Sequence, residues 1–234
     1  VVAHRISAAG QARRPRPAVL AAADIYTGRY ENSWVRLRGV VRAVRRRPEG
    51  AMLELVAGIT RVPVAIEGAD AARLTNLVDS EISVEGVYVP TFNRQRQLNG
   101  YLIVSPSADS IRILRRGQAD PFAAPLVAAG GLLKFQPAGL PRRRIRVRGA
   151  VALCRDRREL YLAEGLIVRT DEDFSASPGD IIEAAGFRTP ADFRPVLEDA
   201  KVRFLGKGPP PKPVRIMPEE GLEGAFDARL VELD

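Results

Sequence analysis

The sequence predicts an all-β chain built as two tandem five-stranded Greek-key barrels. The first reason is two runs of alternating apolar and polar residues, each long enough for five strands. The second is a glycine in the middle of each long first strand, Gly39 and Gly149. The third is an ordered likeness between the halves. Residues 35–41 (VRLRGVV) match 145–151 (IRVRGAV), and 82–90 (ISVEGVYVP) match 182–190 (IEAAGFRTP). With 234 residues there is room for one or two domains, and 46% hydrophobic against 27% charged residues suits buried cores.

In the first unit, strands are expected near 34–45, 51–57, 59–66, 80–89 and 100–114. In the second they are expected near 143–154, 158–164, 165–171, 180–188 and 195–205. Turn signals separate them at Pro48-Glu49-Gly50, Asn99-Gly100 and Ser177-Pro178-Gly179. Residues 68–77 (GADAARLTNL) read as a short helix between the third and fourth strands, which the second unit replaces with a loop. Gly39 and Gly149 would let the first strand bend and serve both sheets of a barrel. Five strands, a central glycine and an optional helix after the third strand match the OB-fold. A different small barrel or a sandwich is the structural alternative.

The chain also repeats across its ends. Residues 5–37 lie without a gap on 201–233, placing Gly10 on Gly206, Pro15 on Pro211, Pro17 on Pro213 and Gly28 on Gly224. This divides the sequence into the tail of a preceding repeat (1–16), a first barrel (17–117) and an apolar Pro/Gly linker (118–141). A second barrel (142–206) follows, then a proline-rich linker with the start of a further repeat (207–234). The chain starts at Val1 and reads as a piece of something longer. No apolar run approaches the roughly 18 residues of a membrane span, and no signal segment opens it.

Composition steers away from catalysis. The single Cys154 excludes a disulfide framework within the chain, and His4 is the only histidine, in the opening segment. Serine–histidine–aspartate triads and histidine or cysteine metal sites are poorly supported. Asp171, Glu172 and Asp173 are consecutive and cannot share one cavity from a strand. Neither they nor Glu219 with Glu220 have surroundings that would raise a carboxyl pKa for acid–base work. No enzyme, catalytic residue, metal site or cofactor is expected.

Net charge is +8, and 32 of the 36 basic residues are arginine. An anionic partner would suit this excess, as would a genome that favours arginine codons, which the many Ala, Gly and Pro also fit. Nucleic acid is the obvious ligand for a basic OB-fold, over strands two and three and their flanking loops. Those strands hold no aromatic and one arginine, Arg61, in the first unit, and Tyr161 among acidic residues in the second. No strong nucleic-acid signal results. Arg36, Arg38 and Arg42 alternate with apolar residues on one first strand, as do Arg144, Arg146 and Arg148 on the other. Each set is expected on a solvated outer face.

The most specific local feature is the loop between strands four and five of the first unit. Phe92, Asn93, Arg94, Gln95, Arg96 and Gln97 offer an aromatic and several donors for phosphate, carboxylate or sugar hydroxyls. A bland hairpin whose Phe92 plugs the barrel end fits equally. The second unit places Phe193 and Arg194 at the corresponding loop. These eight residues, with the cleft walled by 120–135, are the candidate ligand sites.

Several segments together resemble an OB-like repeat region of bacterial membrane-bound sensor proteins, among them sensor histidine kinases and diguanylate cyclases. They are 33–44 (SWVRLRGVVRAV), 92–107 (FNRQRQLNGYLIVSPS), 120–135 (DPFAAPLVAAGGLLKF), 144–153 (RIRVRGAVAL), 178–187 (PGDIIEAAGF) and 193–213 (FRPVLEDAKVRFLGKGPPPKP). The resemblance implies a non-catalytic extracytoplasmic, periplasmic-side sensor segment. It would be joined to a membrane helix and a cytoplasmic output lying outside these residues. It implies an unknown small ligand or periplasmic protein as partner, with neighbouring OB-like repeats. The alternatives are a cytoplasmic nucleic-acid-binding protein and a structural spacer or docking array.

Overall fold

The computed structural model describes residue 10 and residues 15–132, 143–191, 194–223 and 226–233. The chain is mostly strand, 53% against 11% helix, which settles the all-β class. Strand β1 (Ala18–Leu20) runs parallel to β2 (Ser33–Arg47), with a 3-10 turn at Ala22–Asp24 between them. There follow β3 (Gly50–Ala57), β4 (Thr60–Glu67), α1 (Ala71–Leu74), a 3-10 turn at Thr75–Leu77, β5 (Glu81–Phe92), β6 (Leu98–Ser105) and β7 (Ile111–Arg115). The rest comprises α2 (Ala129–Leu132), β8 (Ile145–Arg155), β9 (Glu159–Leu162), β10 (Ile167–Arg169), β11 (Asp180–Ala191), β12 (Arg194–Lys207), β13 (Val214–Ile216) and β14 (Val231–Leu233).

Seven strands pair in the order β1-β2-β3-β4-β6-β5-β7, and β2 also pairs β5. Five more close into a barrel in the order β10-β12-β11-β8-β9. In both sets the third and fifth long strands pair in parallel, β4 with β6 and β10 with β12. The long first strand serves two partners in each. The N-terminal part of β2 pairs β5 and its C-terminal part pairs β3, as β8 does with β11 and β9.

The change of partner has a local cause. Register against the second strand slips between Val41 and Ala43 in β2 and between Val151 and Leu153 in β8. Each bulge lies two residues past its glycine, and the extra residue bends the strand. At Gly39 the reason for glycine is a close approach, since a Cβ would sit 2.7 Å from the Val56 carbonyl oxygen. At Gly86 of β5 it would sit 2.5 Å from the oxygen of Val104 in β6. Gly86→Ala should therefore cost roughly 1–3 kcal/mol of overpacking, read as a lower denaturant midpoint. An unchanged midpoint would show that β5 and β6 separate freely.

Alternation fills the first core with Leu37, Leu53, Leu55, Ile66, Ile82 and Ile103, all fully buried. Tyr88 closes one end, stacked on Tyr101 at 4.7 Å between ring centroids. The second core gathers Val147, Val151, Leu160, Leu162, Val168 and Leu197. The expected single strand over 100–114 is two. Ser107 caps a 3-10 turn at Ala108–Ser110, and β7 leaves β6 to pair β5.

The linker is more than a spacer. Leu126 makes a parallel bridge to Arg146 of β8, and Ala129 and Leu132 enter the second core. A short parallel strap thus precedes each unit, with Pro17, Pro125 and Pro213 at its start. Ala18 pairs Val35 as Val214 pairs Val231, the correspondence the sequence repeat requires. Of residues 1–16, all but Gly10, Pro15 and Arg16 lie outside the described residues, as does 133–142 of the linker region. No helix among the described residues is long and apolar enough to cross a membrane.

Candidate functional site

The segment joining α1 to β5 organises the boundary between the two units. Asp79 is almost fully buried and adopts φ +67, a left-handed conformation that Asp and Asn tolerate better than most residues. Its Oδ1 accepts from the backbone N–H of Arg144 at 2.9 Å. Its Oδ2 accepts from the N–H of Gln118 and from Nη2 of Arg143, each at 3.3 Å. Ser80 Oγ accepts from the N–H of Gly117 at 2.9 Å. One short turn therefore holds the chain where it leaves the first unit and where it enters the second.

A second tie is ionic. Arg61 of β4 donates through Nη2 to Glu198 at 2.6 Å and to Asp199 at 3.1 Å, both on β12, while Nη1 faces Glu54 of β3 at 3.2 Å. Burial pushes the Arg61 guanidinium down, but these three carboxylates carry it above its ordinary value. Burial also raises both acids of β12. For Glu198, with the shorter bond, Arg61 wins and the carboxyl lies below 4.5, whereas Asp199 stays above 3.8. Arg61 is the one arginine that the sequence placed on strands two and three of the first unit. Here it is engaged with the second unit.

Between these ties lies a cleft of about 630 Å³ lined by both units. Arg42, Thr75, Asn76, Gln118, Arg144 and Lys201 contribute polar groups to it. Arg42 and Arg144 are each only 6% exposed, and their guanidiniums lie 4.0 and 5.0 Å from the ring centroid of the fully buried Phe187. Nε and Nη1 of Arg42 and Nε of Arg144 are buried without a hydrogen-bond partner. Burial pushes the Arg42 pKa down to about 10 and lowers that of Arg144 as well. Both remain cations at neutral pH.

This corrects the expectation of one solvated outer face for each arginine set. Arg36 and Arg38 do stand outside, paired across to Glu85 at 2.7 Å and Glu81 at 2.8 Å. Arg42 does not, because it is the extra residue of the β2 bulge, where alternation fails and Val40, Val41 and Arg42 are buried in succession. Arg144 precedes β8 and is fixed by Asp79. Arg146 and Arg148 converge with Arg203 on the buried Glu183 of β11. A second groove over β1, β2, β5 and β7 also measures about 630 Å³, but two of its arginines, Arg36 and Arg38, are paired to its own Glu85 and Glu81.

The polar loop from Phe92 to Gln97 is a tight turn. Asn93 Oδ1 accepts from the N–H groups of Gln95 and Gln97, and its Nδ2 donates to Gln97 Oε1. The amides of Asn93 and Gln97 thus hold the turn, while Arg94, Gln95 and Arg96 project outward. Phe92 is 59% exposed and does not plug the barrel. Phe193 lies outside the described residues, and Arg194 opens β12 with its side chain outside them. Of the segment 120–135, expected to wall a cleft, only Pro121 lines this one among the described residues, beside Gln118 and Ala119. Sequence reasoning missed Asp79, which ties the two units, and the burial of Arg42 in the cleft wall. An acidic residue ending a short helical run, and an arginine three residues past a bend glycine, were the available signals.

No protein-family model matches the sequence, and no curated protein matches it. Among solved structures, an OBody bound to hen egg-white lysozyme is 18% identical over 44% of this chain and 100% of its own, with a TM-score of 0.33. An aspartyl-tRNA synthetase from Entamoeba histolytica is 17% identical over 39% of this chain, which spans only 20% of the synthetase, at a TM-score of 0.29. A murine DNA binding protein bound with double-stranded DNA is 12% identical over 73% of this chain and 98% of its own, with a TM-score of 0.28.

Proposed function

We propose that this chain is a non-catalytic, extracytoplasmic ligand- or partner-binding segment of a bacterial signal-transduction receptor, built on two OB-fold-like barrels. The strand pairings support the fold. In each unit the first long strand pairs the second and fourth, and the third and fifth pair in parallel, as the partly open five-stranded Greek-key barrel requires.

The observation that carries the function is a cleft walled by both units, with both ends of their linker held by Asp79. A ligand seated there touches both units. Its affinity then differs between arrangements of the two, which is the physical requirement for a binding event to be transmitted. Nucleic acid is disfavoured on the first unit's usual OB surface, where Arg61 is committed to Glu198 and Asp199.

The test is protease accessibility of the full-length native protein in intact spheroplasts, read with an antibody to the exposed loop around Arg94. Digestion from outside is expected. Protection until lysis would overturn the extracytoplasmic reading, and salt-dependent binding to single-stranded DNA and RNA would then be the next measurement.

A further inference from the structure

Arg42 and Arg144 are at odds with their surroundings. Burying a guanidinium is costly, and each buried N–H left without an acceptor loses the hydrogen bond it made to water. Arg61, which also bridges the two units, has three carboxylates within 3.2 Å. Arg42 and Arg144 have an aromatic ring beside them and line an open cleft. The carboxylates nearest to them are already held. Asp199 accepts from Arg61, and Asp79 accepts from the Arg144 backbone and from Arg143. Arg116 and Lys201 add positive charge to the wall and Asp171 and Asp199 negative charge, so four cations face two carboxylates, and Lys201 also contacts Glu172.

We propose that Arg42 and Arg144 form an oxyanion-binding site in the cleft between the two units, which takes a small organic phosphate or carboxylate. Nε and Nη1 of Arg42 and Nε of Arg144 are closed off from the cleft, so an anion there would be met by Nη2 of Arg42 and the Nη atoms of Arg144 as charge-assisted contacts. Contact with the Phe187 ring limits the orientation of each plane, so the donors are set before a ligand arrives. Thr75, Asn76 and Gln118 stand where hydroxyl or amide groups of the same molecule would lie. The volume lies in the range of small-molecule sites, about 300–1,000 Å³. This deepens the ligand-binding reading and is independent of which side of the membrane the chain occupies.

Two properties separate such a site from a structural contact. Without anion, removing the Arg42 charge while keeping its bulk should leave stability unchanged or raise it, because an unsatisfied buried donor set disappears. With anion, the same change should remove the ligand's effect. The experiment measures thermal unfolding and titration calorimetry of the purified chain at constant ionic strength. Inorganic phosphate and a sugar phosphate form one arm, succinate and citrate the other, and chloride the reference. A saturable rise in Tm is expected in one arm, which identifies the anion class. Arg42→Met and Arg144→Met are each expected to weaken binding about tenfold to a hundredfold, the loss of one charge-assisted contact. Arg42→Met is expected to keep or exceed the anion-free Tm. Arg38→Met, at an exposed arginine paired to Glu81, should bind as the unaltered chain does.

No rise with any anion would overturn the proposal, as would binding that survives both substitutions. A fall in the anion-free Tm of Arg42→Met would also overturn it, showing Arg42 to be interface packing. Protection in spheroplasts alongside anion binding here would sink the location and leave the site standing.

Discussion

Replacing Asp79 with alanine is expected to uncouple the two units. The carboxylate is 1% exposed and accepts from two backbone N–H groups and one guanidinium, at 2.9 to 3.3 Å. Removing one side of a buried charged contact costs roughly 3–5 kcal/mol. Alanine also resists the φ of +67 at this position, which adds about 1 kcal/mol. Asp79→Asn keeps one acceptor oxygen and tolerates the backbone, so its loss should be clearly smaller. Scanning calorimetry is the measurement. In the alanine variant the second unit should melt separately and at lower temperature, and protease should cut first between the units. A melting profile like that of the unaltered chain would show that Arg61 alone holds the boundary.

The second large effect lies inside the second unit. Glu183 has no exposed surface, yet Arg146, Arg148 and Arg203 reach its oxygens at 3.1, 2.8 and 2.5 Å. Arg203 is itself laid over Phe122, 4.3 Å from the ring centroid, so the linker helps cover this cluster. Glu183→Gln should cost about 3 kcal/mol, toward the low end for a broken buried pair, since Arg148 and Arg203 are half in solvent.

The same group sets a pH response. Burial pushes the Glu183 carboxyl up, but the bonds from Arg148 and Arg203 and the charge of Arg146 outweigh it, and the group lies below 4.5. The unfolded chain therefore binds a proton here before the folded chain does. The stabilisation is complete above pH of about 4.5 and is lost as pH falls toward the folded value. Denaturant midpoints measured from neutral pH down should fall more steeply for the unaltered chain than for Glu183→Gln. Parallel curves would show that another carboxylate governs acid unfolding.

Much of the fold was legible because its signals are local. Val35, Leu37 and Val41, or Leu53 and Leu55, alternate with polar residues whether or not the rest of the chain is present, and they mark β2 and β3 within two residues of their observed limits. Gly39 and Gly86 were legible as landmarks because close backbone approach admits little else. The short helix at 71–74 followed from composition, and the repetition of 5–37 in 201–233 was visible, but the strap strand after Pro213 was not expected. The loop around Asn93 was found, though its amides turned out to hold the turn.

The candidate site was not legible in this way. Arg42 reads as one more member of an alternating outer set, and only a one-residue bulge turns it inward. Arg61 reads as a lone surface arginine, and Glu198 and Asp199 lie far along the chain from it. The sequence by itself determined the all-β class, the long strands of each unit, the bend glycines and the repetition of 5–37 in 201–233, since period-two burial and steric exclusion act on neighbours. The tertiary structure decided which charges are paired, which are buried and where the cleft opens. Those depend on how two units meet, and the energy of a buried arginine is set by groups that no local pattern brings beside it.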